Sequence, residues 1–211
     1  MTNSTPLHFQ EVLDSKRLSI LEKLTYFKQE WFILGWWTAL AIIFWHRESI
    51  DFDFFISHDI DTEALFQTCL EVFDWQSVMK TYEEKNTLYI IVDEVKISFF
   101  TYTHKYIRDM IETPYLNLYS IEDIGAMKLW AIQNRATNKD YVDLYYIIHN
   151  IWLGQLLEIF FEKFWYIITQ SYLLKSLVYF EDIIEEPLIL KDSNLDFRQV
   201  KNYLEEAIQK V

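Results

Sequence analysis

The sequence predicts an α+β fold, with strands concentrated in the first half and a helical second half. Three observations carry that expectation. β-branched and aromatic runs broken by short polar pairs fill the chain before residue 115, apolar residues recur at helical spacing after Pro114, and 51% of the 211 residues are hydrophobic, ample for a core. The expected division is an α+β core over 1–115 and a helical region over 116–211 that closes over one side of it.

In chain order, "EVLDSKRLSILEKLTYF" predicts a helix from about Ser15. A short strand "WFIL" leads into the turn "LGWW", and a helix is expected from about Thr38 to Trp45. The run "SIDFDFF" reads as a strand, and "DIDTEALFQTCLEVF" as a helix that Asp61 or Thr62 caps. "QSVMKTY", "TLYIIVD" and "VKISFFTY", separated by "EEKN" and "DE", have the pattern of an antiparallel meander. Ser120, with Asp123 three residues on, is a capping-box candidate that opens "SIEDIGAMKLWAIQNRA". Helices are then expected in "KDYVDLYYIIHNI", "GQLLEIFFEKF", "QSYLLKSLVYFEDI" and "FRQVKNYLEEAIQK".

Composition excludes several function classes. One cysteine, Cys69, allows neither an intramolecular disulfide framework nor a Cys-rich zinc site, and the polar start lacks a basic-then-apolar leader, so a cytoplasmic protein is expected. Trp31 to Trp45 carry no charge, but this run is shorter than the roughly 18 to 20 residues a membrane span requires. A net charge of −13 argues against general electrostatic binding of nucleic acid, so no DNA partner is expected and any RNA contact is local. An acidic surface suits solubility, a divalent cation or a basic protein partner.

Asp51 and Asp53 are set two apart in an apolar strand, which puts both on one side. Nucleotidyl transfer aligns an attacking hydroxyl with an α-phosphate while Mg²⁺ neutralises charge on the reacting oxygens. Mg²⁺ needs only one or two carboxylates beyond phosphate and water, so this pair supplies the minimum. A solvated edge strand with acidic outward positions is the alternative.

The blocks "GWWTALAIIFWHRESIDFDFF" and "IEDIGAMKLWAIQNRATNKDYVDLYYII" resemble the AbiEii/AbiGii abortive-infection toxin family of nucleotidyltransferases. The resemblance covers nearly the whole chain and implies a polymerase-β-like nucleotidyltransferase fold, usually encoded beside an antitoxin. It implies Mg²⁺ at Asp51 and Asp53, with Lys128 binding phosphate and Asp143 orienting Lys128 or Lys139 or assisting the attacking hydroxyl. Gly35, Trp36, Trp37 and Thr38 correspond to the nucleotide-binding turn, where helix N–H groups and the dipole hold a triphosphate. Arg47 is expected to reach a phosphate or brace the Asp pair, with a surface ion pair to Glu48 as its alternative. Arg135, Lys139, Asp140 and Asp143 form a charged cluster in which Lys139 and Asp143 share a helix face; the resemblance implies that Arg135 and Lys139 bind nucleotide, and a helix-surface salt-bridge set is the alternative. The implied activity is transfer of a nucleotide from an NTP to an RNA, such as the tRNA acceptor end, or to a protein hydroxyl. The alternative is a catalytically impaired protein of the same fold that acts as an antitoxin-binding module.

Two departures stand out. Many enzymes of this fold take a third carboxylate from a later strand, where "VKISFF" offers Ser98, and His46 is expected to be a structural hydrogen-bonding residue rather than a base. Trp36 and Trp37 stand where the family has paired glycines, and Trp45 where it has the glycine before His-Arg. The chain holds 3 glycines against about 15 expected at a usage of roughly 7%, and 8 tryptophans. Some bacterial lineages read UGA as glycine, so UGA-encoded glycines written as tryptophan would explain positions 36, 37 and 45, with Trp165 a further candidate. A diverged pocket filled by hydrophobic packing is the alternative.

Overall fold

The computed structural model describes residues 6–73, 77–164 and 168–211, and the candidate Trp165 lies outside them. The chain forms two compact units. One comprises the residues up to Trp45, Ser49–His104 and Met110–Tyr119, and the other His46–Glu48, Lys105–Asp109 and Ser120–Val211.

The first unit holds α1 (Phe9–Val12), α2 (Ser15–Gln29), β1 (Ile33–Leu34), α3 (Trp36–Phe44), β2 (Asp51–Ile56), α4 (Thr62–Val72), β3 (Val78–Glu84), β4 (Thr87–Val92), β5 (Val95–Thr101), β6 (Ile111–Glu112) and β7 (Asn117–Leu118). The strands make one sheet in the order β3-β4-β5-β2-β1-β7-β6. The expected meander β3-β4-β5 is antiparallel, whereas β5 runs parallel to β2 with Asp51 opposite Lys96 and Asp53 opposite Ser98. The brief pair β6 and β7 and the single-turn α1 are too short to produce a periodic signal in the sequence.

Period-two alternation divides β2 cleanly. Phe54 packs with Phe27 of α2 and Phe99 of β5, with Phe27 and Phe99 ring centroids 4.9 Å apart. On the other face Phe55 meets Trp36 and Phe100 at 5.0 and 5.2 Å. Asp14 caps α2 and Asp61 caps α4, each accepting a backbone N–H three residues on. Cys69 is buried in α4, where burial pushes its thiol up to about 12, so it supplies no thiolate nucleophile.

The second unit holds α5 (Ile121–Asn134), α6 (Asn138–Asn150), α7 (Leu153–Lys163), α8 (Gln170–Ser176) and α9 (Phe197–Ile208). α5 packs on α6 and α7, and α6 on α9. The helix expected across "QSYLLKSLVYFEDI" stops at Ser176; the chain beyond it is extended enough for Ile184 to bridge Thr137 and Leu190 to bridge Arg47. The Ser120 box forms only in part. Ser120 Oγ accepts from Asp123 N at 3.0 Å, but the Asp123 carboxylate accepts from Ser120 Oγ, from Ile107 N and Arg108 N, and from the buried Lys163 ammonium at 2.7 Å. Among the described residues no helix is long and apolar enough to cross a membrane.

Candidate active site

The first group of candidate residues lies in the sheet unit. Helix α3 begins at Trp36, two residues before the expected start, because Gly35 rather than Thr38 is its N-cap. Gly35 is required by close approach: a Cβ there would lie 2.8 Å from the Phe55 ring and 3.1 Å from Tyr119. Its N–H donates to Asp53 O at 3.0 Å, tying the turn to β2. Thr38 is buried in the first turn of α3, where its hydroxyl contacts Ser49 Oγ at 2.7 Å and donates to the Asp51 carbonyl. The turn and the start of β2 are therefore one hydrogen-bonded piece.

Asp51 and Asp53 project from the same face of β2 as Phe55, opposite the Phe52 and Phe54 face. Asp53 is only 5% exposed, and Asp51 Oδ1 is buried without a hydrogen-bond partner among the described residues. A buried carboxylate oxygen left in that state costs free energy unless a proton or cation meets it. A carboxylate in that state beside the buried Asp53 on the same strand face fits a hard divalent cation that completes its shell with water and phosphate, and no cluster of three or more ligating side chains occurs among the described residues. The third-carboxylate position is Ser98, in register with Asp53.

The second group lies in the helical unit, around Asp143. This carboxylate is fully buried and takes four donors: Arg47 Nε at 2.8 Å and Nη2 at 3.0 Å, His46 Nε2 at 2.7 Å and Lys128 Nζ at 2.7 Å. Four donors match the four lone-pair directions of a carboxylate. The Lys128 ammonium also donates to Asp140 Oδ1 at 2.8 Å, and Asp140 completes the capping box of α6 with Thr137. Arg47 does not make the surface ion pair to Glu48: it is buried and bidentate on Asp143, while Glu48 pairs with Lys191 at 3.2 Å. Lys128 is held by two carboxylates and is 2% exposed, so its charge is already compensated within this unit. Lys139 reaches Glu186 at 2.9 Å, and Arg135 is exposed beside Tyr179 and Lys175 in an open groove of about 520 Å³.

Burial opposes ionisation of Asp143, but the Arg47 and Lys128 charges and the His46 and Arg47 hydrogen bonds overcome it and hold its carboxyl well below the usual range. Burial lowers His46 despite the Asp143 contact, so the ring is neutral near pH 7 and donates through Nε2. Both folded-state values lie below the unfolded ones, so the unfolded chain binds more protons and stability falls with acidification. The His46 contribution declines below about pH 6.5, and the Asp143 contribution is lost below about pH 4 as pH drops through its folded value. Urea melts at pH 7.5, 6 and 4.5 are expected to show decreasing stability, with His46→Gln flattening the step between 7.5 and 6. An unchanged step in that variant excludes His46 as its source.

Asp123 and Lys163 were not legible as a pair, because 40 residues separate two groups that only the packing of α5 on α7 brings to 2.7 Å. The sequence singles out His46 and Asp143 separately, and their contact across 97 positions is likewise a product of the fold.

A family model described as "Nucleotidyl transferase AbiEii toxin, Type IV TA system" matches residues 38–209. The chain belongs to this family. It is a toxin-type nucleotidyltransferase, and the family implies an NTP substrate and an antitoxin partner. An uncharacterized protein of Aquifex aeolicus is 33% identical over 183 residues, covering 82% of this chain and 88% of its own length. Among solved structures, the nucleotidyltransferase toxin MenT4 of Mycobacterium tuberculosis is similar with TM-score 0.58 and 14% identity over 96% of this chain and 86% of that one. JHP933 of Helicobacter pylori has TM-score 0.57 and 13% identity over 97% of this chain and 92% of its own. These likenesses bear out the mixed α/β nucleotidyltransferase fold expected from the two sequence blocks.

Proposed function

We propose that the protein transfers a nucleotide from an NTP to an RNA or protein hydroxyl, with Asp51 and Asp53 holding Mg²⁺, and that a cognate antitoxin restrains it. The observation that carries this reading is the same-face carboxylate pair on β2, hydrogen-bonded as one piece to the turn that starts α3. When bound there, the cation supplies charge neutralisation at the reacting phosphoryl group. Asp51 and Asp53 orient it, and the backbone N–H groups at the start of α3 bind the triphosphate with help from the helix dipole. Lys128 and Asp143 enter as positioning groups: with Asp140 they fix Arg47, in the segment 46–48 that precedes β2 in the chain.

The second reading, a catalytically impaired module that keeps the fold for antitoxin binding, is favoured by one observation. The Trp36 indole packs against Phe55 and Phe100 on the carboxylate face, at 5.0 and 5.7 Å, where a side-chain-free residue would leave room for phosphate. Labelled NTPs with Mg²⁺ and bulk RNA or protein separate the two. The chain with Trp36→Gly, Trp37→Gly and Trp45→Gly is expected to label an acceptor at least tenfold faster than the chain as written. No labelling by either chain, with every NTP and both acceptor classes, leaves the binding-module reading in place.

A further inference from the structure

Left-handed backbone is the strongest local demand for glycine, yet none of the described glycines has positive φ. Six other described residues do, and three of them are tryptophan: Trp31 at 65°, Trp36 at 49° and Trp45 at 51°. An Asn or Asp tolerates this region through local hydrogen bonding, whereas a bulky aromatic at φ > 0 is an outlier.

Trp31 makes the case independently of any motif. Helix α2 ends at Gln29 with Glu30 as its C-cap, which puts Trp31 one position beyond. Its N–H donates to Lys28 O at 3.1 Å, and the Phe32 N–H donates to Phe27 O at 2.9 Å. Those two bonds are the complete Schellman arrangement, and the apolar contact that accompanies it is present as Phe27 against Phe32, centroids 6.0 Å apart. The residue at the left-handed position of this motif is most often glycine. The Trp31 indole is 71% exposed, so burial does little to offset the backbone cost. Trp45 is likewise left-handed, at the C-cap of α3, with its N–H on Ala41 O at 2.8 Å, and it is 45% exposed with its ring stacked on His8 at 5.6 Å. Trp36 lies at the other end of α3, directly after the Gly35 N-cap. Trp37 is not left-handed, so geometry makes no such demand there.

We propose that Trp31, Trp36 and Trp45 occupy glycine positions, that the gene carries UGA read as glycine at these codons, and that the cellular protein has glycine at all three. Position 31 extends the set beyond the nucleotide-binding turn, so the inference stands or falls without reference to enzymatic activity. Trp130, inside α5 and stacked on Phe164 at 5.4 Å, is the contrasting case of a tryptophan on ordinary helical backbone.

Sequencing the gene and mass-mapping peptides of the protein from its own host are the direct tests. UGA codons and glycine masses at 31, 36 and 45 support the proposal, and UGG at these codons overturns the recoding. A second arm uses recombinant chains. Trp31→Gly is expected to raise Tm by roughly 2 to 4 °C through relief of left-handed strain, while Trp130→Gly lowers it. A Trp31→Gly chain that melts below the chain as written overturns the glycine assignment at that position.

Discussion

Replacing Asp53 by Asn is expected to abolish nucleotide transfer, by roughly a thousandfold or more, while leaving the folded chain intact. The substitution keeps the shape of the side chain and removes the negative charge that would orient a divalent cation at the reacting phosphoryl group. Stabilisation of that kind appears mainly in the transition state and is worth several kcal/mol, and about 4 kcal/mol corresponds to that factor. The parent for the comparison is whichever chain transfers nucleotide, as written or with glycine at 36, 37 and 45. Asp51→Asn is expected to behave alike, because its partly buried carboxylate includes an oxygen with no hydrogen-bond partner among the described residues. Unchanged Tm without metal, together with loss of any Mg²⁺-induced rise in Tm, distinguishes a lost ligand from a damaged fold. Full transfer activity in both variants would reject the carboxylate pair as the metal site.

Asp143→Ala is expected to be the most destabilising single substitution in the helical unit. It leaves Arg47 without its bidentate partner, removes one of two carboxylates from Lys128, and deprives His46 Nε2 of its acceptor, all at buried positions. Removing one side of a buried ion pair costs about 3 to 5 kcal/mol, because the remaining charge stays desolvated. For a chain of this size that corresponds to a Tm loss of roughly 6 to 20 °C. Thermal unfolding followed by circular dichroism measures it, and a loss under about 1 kcal/mol excludes Asp143 as the centre of the cluster. Lys139→Ala serves as the control, since its partner Glu186 lies nearer the surface and such pairs contribute about 1 kcal/mol or less.

Arg47 shows what a linear reading misses. Its neighbour Glu48 offers an ion pair at no cost in chain closure, and by sequence alone that pairing is the simple alternative. In the fold the guanidinium instead meets Asp143, 96 residues away, because extended chain at 46–48 pairs with residues 189–191 and brings Arg47 into the helical unit. Lys128 follows the same logic: an isolated cation on an apolar helix face signals a buried partner as readily as a ligand, and only the packing of α5 on α6 identifies Asp140 and Asp143. The early stop of α8 is also tertiary, since the residues after Ser176 are committed to bridges with Thr137 and Arg47 rather than to another helical turn.

The sequence by itself determined the local elements: the start of α2 at Ser15, a cap at Asp61 or Thr62 for α4, the three-stranded meander, the same-face placement of Asp51 and Asp53, and the family, through two blocks dense in specific residues. These depend on periods of 2 and 3.6 residues and on caps within one turn, which a linear chain displays directly. Only the tertiary structure decided the parallel pairing of β5 with β2, the four donors on Asp143 and the left-handed backbone at Trp31. Those arise where long-range closure or a helix end selects one conformation among many open to the local sequence. At Trp31 local preference and observed backbone disagree, and the two hydrogen bonds that end α2 hold a bulky residue where glycine costs least.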